Sequence, residues 1–151
     1  MIKDLVLPDQ IHNFAHNNEW LIRNLMNVGR VSEASSLARN MIELPRHPKY
    51  NTLSKGGSSA KYGRRRLFEV LYRYELWGQL VELPRTRYLP PTELEGEQEE
   101  RLRHMGVAYV RPQDTENGIA VLTDLRDRLD EIESPSERAV QRARDTERKQ
   151  T

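Results

Sequence analysis

Three groups of side chains in this chain have the types and spacing to do chemistry. His12, His16 and Glu19 fall at i, i+4 and i+7, so a helix would carry all three on one face. Two imidazoles and a carboxylate at that spacing can hold a metal, but no second motif supplies further ligands. Lys61-Tyr62-Gly63-Arg64-Arg65-Arg66 is the densest basic cluster. Its cations Lys61, Arg64, Arg65 and Arg66, joined by Arg46, Lys49 and Lys55, can track phosphates, with Tyr62 stacking on a base. The preceding Lys55-Gly56-Gly57-Ser58-Ser59 loop leads into a helix N-terminus, which suits an anion. The third group is the carboxylate run from Glu93 to Glu100, whose pattern is that of a solvated helix.

Several activities are excluded by what is missing. There is no Cys, hence no thiol nucleophile, disulfide framework or Cys-ligated metal. Neither G-x-S-x-G nor H-E-x-x-H occurs, and the Gly-Gly loop lacks the G-x-x-x-x-G-K-[ST] spacing of a nucleotide site. No catalysis, cofactor or resident metal is expected. Trp20 and Trp77 are expected in the core or between repeats, not as ligand platforms.

The elements that must position these groups are helical. The chain has 151 residues, 36% hydrophobic and 31% charged, enough for one domain or two small ones. Ile11, Phe14, Ala15, Leu21, Ile22, Leu25 and Met26 recur at helical spacing after a cap at Asp9, and Gly29 stops the helix. A second helix starts near Ser32, carries Ala34, Leu37, Ala38, Met41 and Ile42, and ends before Pro45. After a loop over 46–58, a third helix from about Ser59 to Tyr72 pairs with one from Glu75 to Leu83, stopped by Pro84. Thr92-Glu93-Leu94-Glu95 fits a capping box for a helix reaching about Val110. A further helix spans Asn117 to Ile132, and Ser134-Pro135-Ser136-Glu137 opens a charged segment read as a frayed helix or linker.

The net charge of +1 hides a strong separation. Residues 46–74 hold eight basic and one acidic side chain, and residues 93–137 hold five basic and thirteen acidic ones. Adjacent hairpins of opposite sign can fix stacking order or promote head-to-tail contact, so the basic cluster has a structural alternative: docking on the acidic hairpin. No apolar run approaches the roughly 20 residues of a membrane span, and the Met1–Pro8 start is too short for a secretory signal. A cytoplasmic protein is expected, unless the chain is a piece of a larger exported one.

An internal repeat organises the helices. Leu37-Ala38-Arg39-Asn40-Met41-Ile42-Glu43-Leu44-Pro45-Arg46 aligns without gaps to Leu76-Trp77-Gly78-Gln79-Leu80-Val81-Glu82-Leu83-Pro84-Arg85, with five identities in ten. Each copy is the second helix of a hairpin. The pattern resembles the tetratricopeptide repeat superfamily, a helix–turn–helix with W-x2-L-G-x2-Y in the first helix and Pro at the end of the second. Leu102, Met105, Gly106 and Tyr109 fill that motif; Tyr62-Gly63, Ala34, Pro45 and Pro84 match parts of it, and Ala120 is the candidate small residue of the third hairpin. The offset of 39 exceeds the family's 34, Arg66 replaces the motif Tyr, and Leu21-Ile22 replace the large–Gly pair.

The resemblance implies an all-α stack of about three hairpins (9–45, 59–84 and 92–133) in one domain over 1–133, followed by the charged 134–151. It further implies a non-catalytic protein-interaction module whose first helices line a concave groove for a peptide or partner domain. The groove residues it implies are His16, Arg23, Asn27, Arg64 and Arg103. Arg23, Arg64 and Arg103 would clamp a carboxylate or acidic side chains, since guanidinium binds carboxylate bidentately; solvated arginines paired with the acidic cluster are the alternative. A nucleic-acid or phosphate binder using 61–66 and a helical accessory to a larger enzyme are the rival functions. A homodimer through the third hairpin is a further expectation.

Overall fold

A computed structural model describes residues 13–111 and 115–131. The cap at Asp9, Ile11, His12, Pro112 and the segment from Ile132 onward lie outside the described residues. Among the described residues all regular structure is helical, and no helix is long and apolar enough to cross a membrane.

The apolar stripes fold as their periodicity predicts. Helix α1 spans Phe14–Asn27 and buries Ala15, Ile22, Leu25 and Met26. Helix α2, Val31–Glu43, buries Ala34, Ala38, Met41 and Ile42. Helix α3, Ser59–Arg73, is central: only Arg65, Tyr72 and Arg73 are exposed along it. Helix α4, Trp77–Glu82, is short and passes into a 3-10 turn at Leu83–Arg85 that carries Pro84. Helix α5 spans Glu95–Val110, and α6 covers 115–131.

The first two hairpins turn by the same device. At the end of α1 the Arg30 amide donates to the Leu25 carbonyl (2.8 Å) and the Gly29 amide to Met26 (3.0 Å), with Gly29 at φ +76. At the end of α3 the Leu76 amide donates to Leu71 (2.8 Å) and the Glu75 amide to Tyr72 (3.2 Å), with Glu75 at φ +53. Both are Schellman motifs, which satisfy the last carbonyls of the helix and need a left-handed residue. Glycine serves at 29, but glutamate bears the steric cost at 75. Glu75→Gly is therefore expected to stabilise the chain by about 0.5–1 kcal/mol, read as a raised denaturant midpoint with unchanged slope; a lowered midpoint would refute the strain.

Polar pairs between hairpins set their register. Glu19, Met26 and Asn27 of α1 meet Arg66, Tyr74 and Arg73, all some 46–48 residues later. Lys61 and Phe68 of α3 meet Glu97 and His104 of α5. Constant offsets mean that α1, α3 and α5 run parallel, side by side. Between the second helices, Arg39 of α2 donates to Gln79 of α4 (2.9 Å), joining the two copies of the sequence repeat. α2 also packs on α3, and α4 on α5. The α5–α6 hairpin is antiparallel, with Gly106 near Val121 and Gly118 near Tyr109. Gly118 is buried and Ala120 exposed, so Gly118 and not Ala120 is the small contact residue of this hairpin.

Two connectors are pinned by buried polar side chains. In the 44–58 loop, fully buried Asn51 donates to the Pro45 carbonyl (3.0 Å) and accepts the Ala60 amide (2.8 Å). Ser58 caps α3 through the Lys61 amide (3.1 Å). Between α4 and α5, the Pro90 and Leu89 carbonyls accept from Arg64 (2.9 Å) and Arg101 (3.2 Å). The Thr92–Glu95 capping box does not form. The Thr92 amide instead donates to Gln98 Oε1 (3.0 Å), Leu94 takes the cap position, and the helix begins at Glu95. The pinned Pro90-Pro91 connector holds Thr92 short of the helix end.

Candidate functional site

The five residues expected to line one groove occupy three different environments. His16, Arg23 and Asn27 lie exposed on α1. With Trp20 and Asn24 they recur at i, i+4, i+7, i+8 and i+11, along one side of the helix. Trp20, Arg23, Asn24 and Asn27 line a shallow pocket of about 260 Å³, and the His16 ring stands 5.0 Å from the Trp20 indole. Trp20 is 55% exposed, which corrects its expected place in the core. It stands two residues before fully buried Ile22, hence about 200° around the helix from it. Leu21 and Val28 are exposed nearby.

Arg64 is not a groove residue. It is 2% exposed, donates to Pro90, and lies 5.5 Å from the Phe68 ring. Burial pushes its guanidinium down to about 10, against the attraction of Glu97 and Glu100. Arg103 is exposed on α5, where it lines a cleft with Glu99, Glu100, Leu125 and Leu129. No three-arginine clamp is assembled from Arg23, Arg64 and Arg103.

Of the three consecutive arginines of α3, Arg65 is the one that reaches solvent, with half its side chain exposed, 4.0 Å from Glu19. Three consecutive arginines leave the choice open in the sequence, because each step turns the side chain by about 100°. Packing of α3 against α1, α2, α4 and α5 decides it. Arg73 adds a second cation, donating to Asn27 Oδ1 at 3.2 Å. The carboxylates near this side are committed: Glu19, 3% exposed, and Glu69 both accept from buried Arg66.

The phosphate-binding expectation loses two of its groups to the interior. Of Lys61, Arg64, Arg65 and Arg66, two are buried and Lys61 is paired with Glu97 at 3.0 Å. At the start of α3, Ser58 and Asn51 already hold the Lys61 and Ala60 amides that an anion would need. The alternative of docking on the acidic hairpin describes Lys61 and Arg64 well. In the metal triad, Glu19 is committed to Arg66 and His12 lies outside the described residues.

His104 is buried where α3 meets α5, stacked 5.1 Å from Phe68 and edge-on to Tyr72. Its Nε2 stands 3.9 Å from Glu100 Oε1, and this polar contact holds the Glu100 carboxyl below its usual range. No family model, curated protein or solved structure matches the chain.

Proposed function

We propose that the chain is a non-catalytic protein-interaction module, built as a tetratricopeptide-like stack of three hairpins, that binds an acidic peptide segment across α1 and α3. The parallel first helices and the repeated turn at Gly29 and Glu75 support the stack. The observation that carries the binding reading is Trp20, a large exposed aromatic beside Arg23 and a polar row of His16, Asn24 and Asn27. Trp and Arg are enriched among the few residues that carry most of the binding energy at protein interfaces. Arg23, Arg65 and Arg73 give the surface its preference for carboxylates: they outnumber the one negative charge left where Arg66 holds both Glu19 and Glu69.

The test is selection of a random-sequence peptide library on the immobilised chain. Selected peptides are expected to be rich in Asp and Glu. Trp20→Ala is expected to weaken them by about 2 kcal/mol or more, with stability changed by less than about 0.5 kcal/mol because the side chain is exposed. Undiminished binding by Trp20→Ala would contradict the reading.

A further inference from the structure

The α5–α6 hairpin carries a surface that the binding face on α1 and α3 does not use. Ile119, Leu122 and Leu129 of α6 are 58%, 52% and 51% exposed. With Thr115 and Arg126 they recur at steps of four, three, four and three, which lines them along one narrow stripe. At Ile119 and Leu122 that stripe lies apart from the face turned to α5, where Gly118 and Val121 make the contacts. At its far end Leu129 enters a cleft of about 610 Å³ whose walls include Leu125, Gly96, Glu99, Glu100 and Arg103. Three large apolar side chains exposed along one row and rimmed by polar groups mark a docking surface.

Charge selects the occupant. The described residues of α5, Arg111 and α6 carry nine carboxylates and five arginines. Arg101 is turned to the Leu89 carbonyl, Arg128 is paired with Asp124 at 2.9 Å, and Arg111 lies over Trp77. Exposed Glu116 and Asp130 border the stripe on one side, Glu99 and Glu100 on the cleft side. A second copy meeting this one through the same stripe would oppose two net-negative hairpins, a repulsive arrangement. A basic partner turns the same charges to attraction.

We propose that the α6 stripe and the cleft beside it dock a basic amphipathic helix of a partner protein. Its apolar side chains cover Ile119, Leu122 and Leu129, and its Lys and Arg side chains meet Glu99, Glu100, Glu116 and Asp130. This preference is opposite in sign to that of the α1–α3 surface, so the chain bridges an acidic and a basic partner on different faces.

The probe is a labelled synthetic peptide as long as α6, with leucines at the four–three spacing and lysines elsewhere. It is titrated into the full chain by fluorescence anisotropy beside a scrambled peptide of identical composition. The ordered peptide is expected to bind at least about tenfold tighter than the scrambled one. Leu122→Asp and Leu129→Asp are each expected to weaken it about tenfold or more, as is Glu116→Lys combined with Asp130→Lys, which keeps every apolar group. Circular dichroism checks that helicity is retained. Equal affinity for the two peptides, or unchanged affinity in all the variants, overturns the proposal. A stable dimer of the chain alone that Leu122→Asp dissociates assigns the stripe to a second copy and overturns it too. Binding that emerges only when residues 132–151 are removed assigns the stripe to that segment and likewise overturns the proposal.

Discussion

Glu19→Ala is expected to lower the unfolding free energy by about 3–5 kcal/mol. The reason is where the charge sits. Glu19 is a carboxylate in the buried row of α1, and Arg66, 5% exposed, reaches it from α3. Their pairing joins the first hairpin to the second, and Arg66 also holds Glu69 from within its own helix. Removing Glu19 leaves a buried guanidinium with only the half-exposed Glu69 as partner. A domain of this size is stable by only about 5–15 kcal/mol, so the loss would unfold a large share of the molecules on modest warming. The pair itself contributes little net stability, because desolvation offsets most of the attraction. Glu19→Met combined with Arg66→Met, which fills the same space without charge, is accordingly expected to recover most of the loss. Urea denaturation followed by circular dichroism measures all three chains. A loss below about 1 kcal/mol for Glu19→Ala, the range of an exposed pair, would contradict the burial of this pair.

Gly63→Ala is expected to cost about 2–3 kcal/mol, although alanine is the better helix former. A Cβ at position 63 would lie 2.8 Å from the Ala38 carbonyl oxygen, 2.9 Å from Met41 Cβ and 3.0 Å from Ile42 Cγ1. Two of these neighbours belong to backbone or Cβ of α2 and cannot swing aside, so α2 and α3 would have to separate. Gly106 provides the control. It sits in the same kind of motif on α5, yet a Cβ there meets only Val121 Cγ1 at 3.5 Å, an ordinary contact. Gly106→Ala is therefore expected to leave stability unchanged or raise it by up to about 1 kcal/mol. The denaturation midpoint should fall for Gly63→Ala and hold or rise for Gly106→Ala; a harmless Gly63→Ala would mean that α2 and α3 are not so closely packed.

Helix positions were legible because two signals agreed: apolar residues at three- and four-residue spacing, and Gly29, Pro45 and Pro84 as stops. Close approach at Gly63 was legible from the large–Gly pair. Trp20 was legible in principle, since it lies opposite Ile22 on the helix, but its size argued for the core and outweighed its position. Arg64 and Arg66 were not legible as interior groups. A basic run ordinarily marks a solvated face, and α3 buries its arginines only because α1 supplies Glu19 and the α4–α5 connector supplies the Pro90 carbonyl. Those partners lie 47 and 26 residues away in sequence, where local pattern carries no information. The capping box at Thr92 failed for a related reason, because Gln98 captures the Thr92 amide first.

Binding of acidic segments across α1 and α3 at Trp20 is decided by nuclear magnetic resonance titration of a selected acidic peptide into the isotope-labelled chain. The predicted result is a set of saturable shifts at the Trp20 indole and at His16, Arg23, Asn27, Arg65 and Arg73. Shifts confined to the basic loop over 46–58 and Lys61, with the Trp20 indole unmoved, would contradict it.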